Sequence, residues 1–158
     1  MPARVVVSEE PATSPAAQQC LERYYAELRG RFEEGLDPDK SVLHSLDEFA
    51  PPRGRFLVIY SDGEPVACGG FTPLGSDAAY LKRMWVSPAA RGLGMGRRLL
   101  AALEEKARSS GYRFARLETH QALAEAQHLY RSSGYTEVEP FNDELYAHHW
   151  FEKPLQVD

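Results

Sequence analysis

Three glycines alternate with other residues in Arg91-Gly-Leu-Gly-Met-Gly96, a segment that falls between a predicted strand and a predicted helix. The N-terminus of a helix leaves backbone N–H groups without partners, and its dipole favours an anion there. Glycine lets the backbone approach such an anion closely, because no Cβ stands in the way. Arg91 and the following pair Arg97-Arg98 add positive charge. The segment Arg91–Arg97, called the glycine loop below, therefore predicts a site for a phosphate or pyrophosphate group.

Two common phosphate-binding loops differ from this segment. A nucleotide-binding P-loop requires lysine and then serine or threonine after its last glycine, whereas Gly96 is followed by two arginines. A dinucleotide-binding fold requires G-x-G-x-x-G directly after its first strand, but here single residues separate the glycines and several predicted strands precede them. Glu118 nevertheless lies near the end of the next predicted strand, where an acid that binds ribose would stand, so the dinucleotide alternative stays open.

Charge is distributed unevenly along the chain. The formal net charge of −5 argues against a general nucleic-acid-binding protein. Residues 82–116 nevertheless hold nine basic and two acidic residues, whereas residues 1–81 hold seven and thirteen, and residues 117–158 hold two and eight. One basic segment in an acidic protein suggests a localised site for an anionic ligand, although solvated arginines on a helix and at strand ends would give the same pattern.

The 158 residues are enough for one domain with its own core, and we expect a single domain over residues 1–158. No apolar run is long enough to span a bilayer, and residues 1–15 lack the apolar segment of a signal peptide. Cys20 and Cys68 cannot form a disulfide framework and favour reduced thiols in a cytoplasmic protein. A metal site is not expected, because His148 and His149 are adjacent on a predicted strand and point to opposite faces.

An alternation of strands and helices must position these residues. Strands separated by helices in the second half of the chain imply crossover connections and locally parallel pairing. We therefore predict an α/β or α+β fold, in which about four helices flank a mixed, mostly antiparallel sheet of six or seven strands. The predicted strands are Arg4–Val7, Arg55–Tyr60, Pro65–Leu74, Ala78–Val86, Phe114–Thr119, Tyr135–Val138 and Tyr146–Lys153.

The helices follow from capping residues and apolar spacing. One is predicted to begin at Ser14-Pro15, where serine caps and proline fits the first turn. Others are predicted at Val42–Phe49, from the glycine loop to about Ser110, and at Leu123–Ser133. The predicted inner face of the helix after the glycine loop consists of Leu93, Gly96, Leu100, Leu103 and Ala107.

Two separated motifs resemble those of a known family. Arg91-x-x-Gly94-x-Gly96 fits the Q/R-x-x-G-x-G/A signature of the GNAT superfamily of acyl-CoA-dependent N-acetyltransferases. Leu81-Lys-Arg-Met-Trp-Val86-Ser-Pro88 is similar to the strand that precedes this signature. Ala126-Gln-His-Leu-Tyr130-Arg-Ser-Ser-Gly134-Tyr135 resembles the family's later A-x-x-L-Y-x-x-x-G-F/Y helix and turn. The motifs occur in the family's order, and the resemblance runs from about Arg55 to Leu155.

The resemblance implies that acetyl-CoA is the co-substrate and lies in a cleft where two parallel strands splay apart. Trp85 and Val86 would pair through their backbones with the pantetheine arm, and amides of the glycine loop would hold the pyrophosphate. Leu123 departs from the family, since many members carry an asparagine there that contacts the cofactor arm. The implied cofactor contacts are Trp85, Val86, Arg91, Gly92, Leu93, Gly94, Met95, Gly96 and Arg97.

Acetyl transfer to an amine requires a neutral amine, a stabilised oxyanion and a proton for the leaving thiolate. A backbone N–H near Val86 is the candidate for the oxyanion. Tyr130 falls where the family often places its general acid, although its helical spacing also fits a core tyrosine. Glu118 ends its strand next to the implied cleft and is the candidate base through a water, although pairing with Arg116 or another nearby arginine would explain it equally well. The weaker candidates for the base are His120 and His149.

The resemblance implies direct transfer of an acetyl group to a primary amine of a small molecule or peptide. We expect the acidic flanks to line the acceptor side of the cleft and the basic segment to lie on the cofactor side. This would favour a cationic acceptor, because an acidic mouth raises the local concentration of cations. The alternative is a module that binds CoA as a sensor or interaction partner without catalysis. A homodimer is suggested only by analogy with the fold class.

Overall fold

The computed structural model describes residues 3–36 and 46–155. These residues form one mixed sheet of seven strands in the order β1-β2-β3-β4-β5-β7-β6, which confirms the predicted sheet. The strands are β1 Val5–Glu9, β2 Arg55–Ser61, β3 Glu64–Leu74, β4 Ala78–Val86, β5 Phe114–Thr119, β6 Thr136–Val138 and β7 His149–Pro154.

Three α-helices lie in the described part of the chain: α1 Pro15–Arg31, α2 Met95–Ser109 and α3 Ala124–Ser132. α1 begins as the sequence predicts, because the Ser14 hydroxyl accepts a hydrogen bond from the Ala17 N–H at 3.1 Å. The sequence predicts about four helices, and the fourth, over Val42–Phe49, is not an α-helix in the part of it that the structure describes. Leu46–Phe49 form a single 3₁₀ turn, and residues 42–45 lie outside the described residues.

The helix after the glycine loop begins later than its apolar spacing predicts. Leu93 precedes α2 and is 70% exposed, so its predicted place on the inner face is wrong. The reason is that Gly92 and Gly94 both take positive φ, which turns the chain just before the helix. The buried face of α2 consists of Met95, Leu99, Leu100, Leu103 and Ala107.

The last strand, β7, lies between β5 and β6 and pairs antiparallel with both. It begins at His149 rather than at Tyr146, because Tyr146 belongs to a turn in which the Ala147 N–H donates to the Glu144 carbonyl at 3.3 Å. Tyr146 packs instead against Phe32, the residue that follows α1. The turn carries residues 144–147 to the sheet edge near the end of β5.

Strands β4 and β5 are parallel neighbours that separate along their length. They pair only where Ala78–Tyr80 lie beside Phe114–Arg116. Beyond this point β4 continues to Val86 and β5 to Thr119 without pairing to each other. We call the resulting space the gap. It confirms the splayed central pair that the family resemblance implies.

Alternating side chains of β2 enter two different cores. Leu57 and Ile59 pack in the cluster that contains the inner face of α2, whereas Phe56 and Val58 pack in the cluster that contains α1. The two helices therefore cover opposite faces of the sheet, and the central strands are held from both sides.

Cys20 and Cys68 are free and buried in the core under α1. Among residues 3–36 and 46–155, no helix combines the length and apolar character that crossing a membrane requires. Within the same ranges, no three His, Cys, Asp or Glu side chains come together as ligands of a metal ion would.

Candidate active site

Two cavities adjoin at the gap. The larger, of about 440 Å³, is bounded by the glycine loop, and we call it the loop cavity. The smaller, of about 160 Å³, is bounded by the end of β5, by α1 and by residues 144–147, and we call it the inner cavity. Six residues border both cavities: Tyr24, Leu28, Met84, Leu123, Ala126 and Tyr130.

The glycine loop presents bare backbone to the loop cavity. Gly94 caps α2 in the left-handed conformation, with φ of 79°, and no side chain caps the helix. The first amides of α2 therefore lack intrahelical acceptors. A Cβ at Gly92 or Gly94 would meet nothing within 4 Å, whereas one at Gly96 would lie 3.3 Å from Leu129. The helix N-terminus is thus open to an anion, the ligand that the sequence predicts here.

The Arg91 side chain is held between α1 and β4. Its Nη2 donates to both carboxylate oxygens of Glu27, at 2.5 and 2.7 Å, and its Nε donates to the Val86 carbonyl at 3.0 Å. Burial alone would raise the pKa of Glu27, but hydrogen bonds from Arg91 and from the Trp85 indole bring it below its usual value. Arg91 therefore fixes one wall of the loop cavity as well as adding charge to it.

The remaining side chains of the glycine loop differ in their positions. Arg97 borders the loop cavity and donates to the hydroxyls of Ser132 and Ser133, at 3.1 and 3.3 Å, at the end of α3. Met95 is buried and borders the same cavity. Leu93 is exposed to solvent and does not border the loop cavity.

Strand β4 turns alternate backbone groups toward the gap. The Ser87 N–H donates to the Val66 carbonyl at 2.7 Å, in the direction of β3. Hydrogen-bonded positions alternate along an antiparallel pair, so Trp85 also bonds toward β3 and Val86 faces the gap. The Arg91 side chain already meets the Val86 carbonyl there. We therefore expect Val86 to offer its N–H to a ligand, while Trp85 contributes its buried indole to the cavity wall.

Tyr130 lies where the two cavities meet. Its ring is 8% exposed and packs against Tyr135 and Phe151. Among the described residues, the hydroxyl has one weak partner, the Met84 sulfur at 3.9 Å. Burial, together with the charge of Glu118, raises the pKa of Tyr130, so the hydroxyl stays protonated at neutral pH. Tyr130 is therefore a core side chain whose hydroxyl remains available to a ligand.

Glu118 is half-buried in the wall of the inner cavity. The Tyr80 hydroxyl donates to its Oε1, and Asn142 Nδ2 lies 3.5 Å from the same oxygen. Burial raises the pKa of Glu118, although these hydrogen bonds and a nearby lysine oppose the shift. The alternative that Glu118 pairs with Arg116 is wrong, because Arg116 Nε donates to Glu152 at 2.7 Å.

The histidines considered as bases are occupied by other contacts. His120 is buried, with Nε2 2.5 Å from a carboxylate oxygen of Glu34, and its Nδ1 accepts the Ala122 N–H at 2.9 Å. His149 Nδ1 lies 2.9 Å from the Glu137 carboxylate. Both ring nitrogens of His120 are therefore engaged, and His120 borders the inner cavity as Glu118 does, whereas His149 borders neither cavity.

Charges of both signs line the inner cavity. Glu118 and Glu144 come from the acidic C-terminal flank, whereas Lys82 and Arg83 come from β4. The first two residues of the basic segment, Lys82 and Arg83, thus border the inner cavity and not the loop cavity. The reason is that β4 forms the border between the two cavities, so neighbouring residues of one strand reach both.

Sequence reasoning missed the residues that support the predicted ones from distant parts of the chain. Glu27 carried one local signal, since it lies three residues after Tyr24 and directly before Leu28, beside the apolar face of α1. Tyr80 and Asn142 meet Glu118 only through the sheet pairing and a loop. No periodicity or motif in the sequence could have indicated these partners of Glu118.

The parallel pair that opens beside an uncapped helix N-terminus is the cofactor cleft that acyl-CoA-dependent N-acetyltransferases use, so fold and site together define the class. The chain belongs to the acetyltransferase (GNAT) family, whose model matches residues 18–135. The resemblance carried by the two motifs is confirmed, the dinucleotide alternative is wrong, and the protein is an acetyl-CoA-dependent N-acetyltransferase.

Known proteins resemble this chain over most of its length. A protein named IAA acetyltransferase from Azospirillum brasilense is 34% identical over 145 residues, covering 89% of this chain and 90% of that protein. The N-alpha-acetyltransferase RimI of Mycobacterium tuberculosis is 32% identical over 133 residues, covering 82% of this chain and 81% of RimI. A crystal structure of a GNAT-family acetyltransferase from Staphylococcus aureus shares the fold, with a TM-score of 0.80 at 18% identity over 97% of this chain and 100% of that one.

Proposed function

We propose that the protein transfers the acetyl group of acetyl-CoA directly to a primary amine of a small molecule or peptide, within a complex that holds both substrates. The observation that carries this proposal is the position of Tyr130, which borders both cavities. A thioester in the loop cavity and an amine in the inner cavity would meet beside its protonated hydroxyl. Direct transfer is also supported by Cys68, which is buried under α1 and borders neither cavity.

Different parts of the loop cavity suit the pyrophosphate and the pantetheine arm of CoA. The pyrophosphate would accept hydrogen bonds from the amides at the start of α2, where the helix dipole adds to the attraction. The pantetheine arm would lie along β4, with the Val86 N–H facing it. Leu123 and Leu129 border the cavity and offer apolar surface to the arm. Since Leu123 cannot donate a hydrogen bond, the arm would depend more strongly on the backbone of β4.

The proposed reaction takes protons from the amine nitrogen and gives one to the departing sulfur. Glu118 takes a proton from the amine through a water, and the amine nitrogen then attacks the carbonyl carbon. The Val86 N–H stabilises the oxyanion that forms. When the C–S bond breaks, the Tyr130 hydroxyl gives its proton to the departing sulfur. After the attack the nitrogen still carries one proton more than an amide holds, and it passes this proton through water to the Tyr130 phenolate. Glu118 releases the first amine proton to solvent.

The acceptor is proposed to arrive as a cation. A primary amine has a pKa of about 10 and is protonated at neutral pH, so it must lose a proton before attack. Glu118 and Glu144 both border the inner cavity and attract a positive group. The raised pKa of Glu118 makes its carboxylate a stronger base than an exposed glutamate.

The experiment that tests this function is release of thiol from acetyl-CoA in the presence of primary amines, amino acids and peptides, with calorimetry to follow cofactor binding. We expect acetyl-CoA to bind and thiol release to depend on the amine. Binding without release across the whole panel would favour the alternative, a CoA-binding sensor or interaction module. Absence of binding would contradict both.

A further inference from the structure

Arg83 is a buried arginine whose guanidinium is only partly satisfied. The residue is 8% exposed, and its Nε donates to the Tyr25 hydroxyl at 2.6 Å. Its Nη1 is shielded from solvent and has no hydrogen-bond partner among residues 3–36 and 46–155. The guanidinium also lies over the Phe49 ring, 5.3 Å from its centroid. An apolar ring thus faces a group that carries five N–H donors and a full charge.

A charged donor left unpaired in a protein interior is unfavourable, and native structures seldom retain one without a reason. The usual partner of a guanidinium is a carboxylate, because the two planar groups match in geometry as well as in charge. Among the described residues, two carboxylates border the inner cavity, as Arg83 does, and both accept hydrogen bonds from other groups. Glu118 accepts from the Tyr80 hydroxyl, and Glu144 accepts from the Tyr146 N–H. A ligand in the inner cavity is therefore a suitable partner for Arg83.

Arg83 borders the inner cavity, as do Tyr25 and the neighbouring Lys82. Burial lowers the pKa of Lys82 to about 8, so a negative ligand would also draw this lysine toward its charged form. Glu118 and Glu144 border the same cavity. The lining therefore offers positive groups for an anion and negative groups for an ammonium within one small space.

We propose that the acceptor carries a carboxylate beside its primary amine, and that Arg83 binds this carboxylate while the amine lies near Glu118 and Tyr130. The acceptor class is then free amino acids and close relatives of them. This inference rests on the proposed acetyl transfer and specifies its substrate. The volume agrees, since a cavity of about 150 Å³ can hold a benzene ring and the inner cavity has about 160 Å³. Its aromatic lining favours an apolar side chain, as given by Tyr24, Phe32 and Tyr146.

The first experiment compares matched acceptors on the wild-type protein. The panel contains the proteinogenic L-amino acids, the amide of each, and alanine-terminated peptides, and the readout is thiol release from acetyl-CoA. We expect kcat/KM for the best amino acid to exceed that for its own amide about 10–100-fold, because the amide leaves the guanidinium without a charged partner. The amide retains the primary amine and the side chain, so the comparison isolates the carboxylate.

The second experiment changes the arginine. Arg83→Gln should lower kcat/KM for the best amino acid about 10–100-fold, mainly through KM, and should change kcat/KM for the amide less than threefold. Arg83→Lys keeps the charge but loses the planar fork and should fall between the two. The control is Arg53→Gln, because the Arg53 guanidinium donates to the Gly75 carbonyl on the surface and borders neither cavity. Acetyl-CoA affinity and the unfolding temperature establish that each variant is folded.

The outcomes separate this inference from the proposed function. Amides or peptides that react as fast as amino acids in the wild-type protein would overturn the carboxylate site while leaving acetyl transfer intact. Equal losses for acid and amide in Arg83→Gln would do the same. If no acceptor supports thiol release, acetyl transfer itself is contradicted. Calorimetric titration of L-phenylalanine and its amide into the CoA-bound protein then decides the matter, since equal affinities would overturn the role of Arg83.

Discussion

Arg91 of the glycine loop donates two hydrogen bonds from Nη2 to the carboxylate oxygens of Glu27 in α1, at 2.5 and 2.7 Å. The same arginine reaches the Val86 carbonyl of β4 through Nε. One side chain therefore ties together a helix, a strand and the loop that bounds the larger cavity. Arg91, whose charge the sequence predicts to attract a phosphate, therefore also fixes one wall of the loop cavity.

Glu27→Gln should weaken the contact between Arg91 and α1. We expect acetyl-CoA affinity to fall roughly three- to tenfold, because a charge-assisted pair becomes a weaker neutral contact. The matched control is Glu22→Gln on the exposed side of α1, which should leave affinity unchanged. Calorimetry measures both. The pH dependence has a definite sign: the lowered pKa of Glu27 means that its contribution to stability is present above about pH 4.5 and is lost as the pH falls. Equal affinities in the two variants would show that the Arg91–Glu27 pair does not shape the cavity.

Gly94→Val should remove acetyl-CoA binding from a folded protein. The valine would strain a residue with φ of 79° and place a side chain in the open space where the pyrophosphate is proposed to lie. We expect a roughly 10–100-fold loss of affinity. Gly63→Val is a close control, because Gly63 has φ of 84° and equally open surroundings at the β2–β3 turn. Both variants should lose about 1–2 kcal/mol of stability, and only the first should lose the cofactor.

Tyr130→Phe should separate catalysis from packing. The hydroxyl has only the Met84 sulfur as a partner in the described structure, so its removal should hardly change the unfolding temperature. Turnover should fall roughly 10²–10⁴-fold if the hydroxyl is the general acid, with cofactor affinity retained. Tyr112→Phe is the opposite case. The Tyr112 hydroxyl donates to the Arg53 carbonyl at 2.7 Å, so its removal should lower stability by about 1 kcal/mol and leave turnover unchanged. A Tyr130→Phe enzyme within a few-fold of wild type would make Tyr130 a core residue alone.

Glu118→Gln should alter the acidic side of the rate–pH profile. The wild-type kcat/KM should fall as the pH drops through the raised pKa of Glu118, since only the carboxylate accepts a proton. In the variant this limb should disappear and the rate should be low at every pH. Glu152→Gln, which removes the partner of Arg116 on the neighbouring strand, should keep the wild-type profile. An unaltered limb with an unaltered rate in Glu118→Gln would exclude Glu118 as the base.

The same substitution also has a stability signature. Because folding raises the pKa of Glu118 above its ordinary 4.5, the folded state holds this proton more tightly than the unfolded state. The resulting stabilisation is complete below about pH 4.5 and is lost as the pH rises through the folded pKa. The free energy of unfolding of wild type minus that of Glu118→Gln should therefore decrease with rising pH. Chemical denaturation at several pH values measures it, and a difference that grows with pH would contradict the burial of this carboxylate.

Local features of the site could be predicted from the sequence because local physics determines them. The position of the glycine loop, the start of α1 at Ser14-Pro15 and the strand β5 all depend on residues close in the chain. Leu93 shows the limit of this reasoning. Its spacing fits the inner face of a helix, yet Gly92 and Gly94 turn the chain and leave Leu93 in solvent.

The partners of the predicted residues could not be found in the same way. Glu118 meets Tyr80 because β4 and β5 pair in parallel at one end. This pairing joins segments that are far apart in the sequence. Arg83 appears in the sequence as one of nine basic residues in a basic segment. Its burial and its unpaired nitrogen exist only once β4 has been placed between the two cavities. Sequence alone therefore predicted the position of the glycine loop, but not the contacts made by residues of the inner cavity.

The gap between β4 and β5 gives the protein an exposed sheet edge in its own interior. Such edges usually recruit strands from other molecules and lead to aggregation unless they are blocked. Here side chains of α1 and α3, such as Tyr24 and Ala126, border the gap and cover the unpaired edges of β4 and β5. The proposed pantetheine arm carries amide groups that would bond to these edges. The proposed cofactor would thus occupy backbone groups through which the sheet could otherwise pair with another strand.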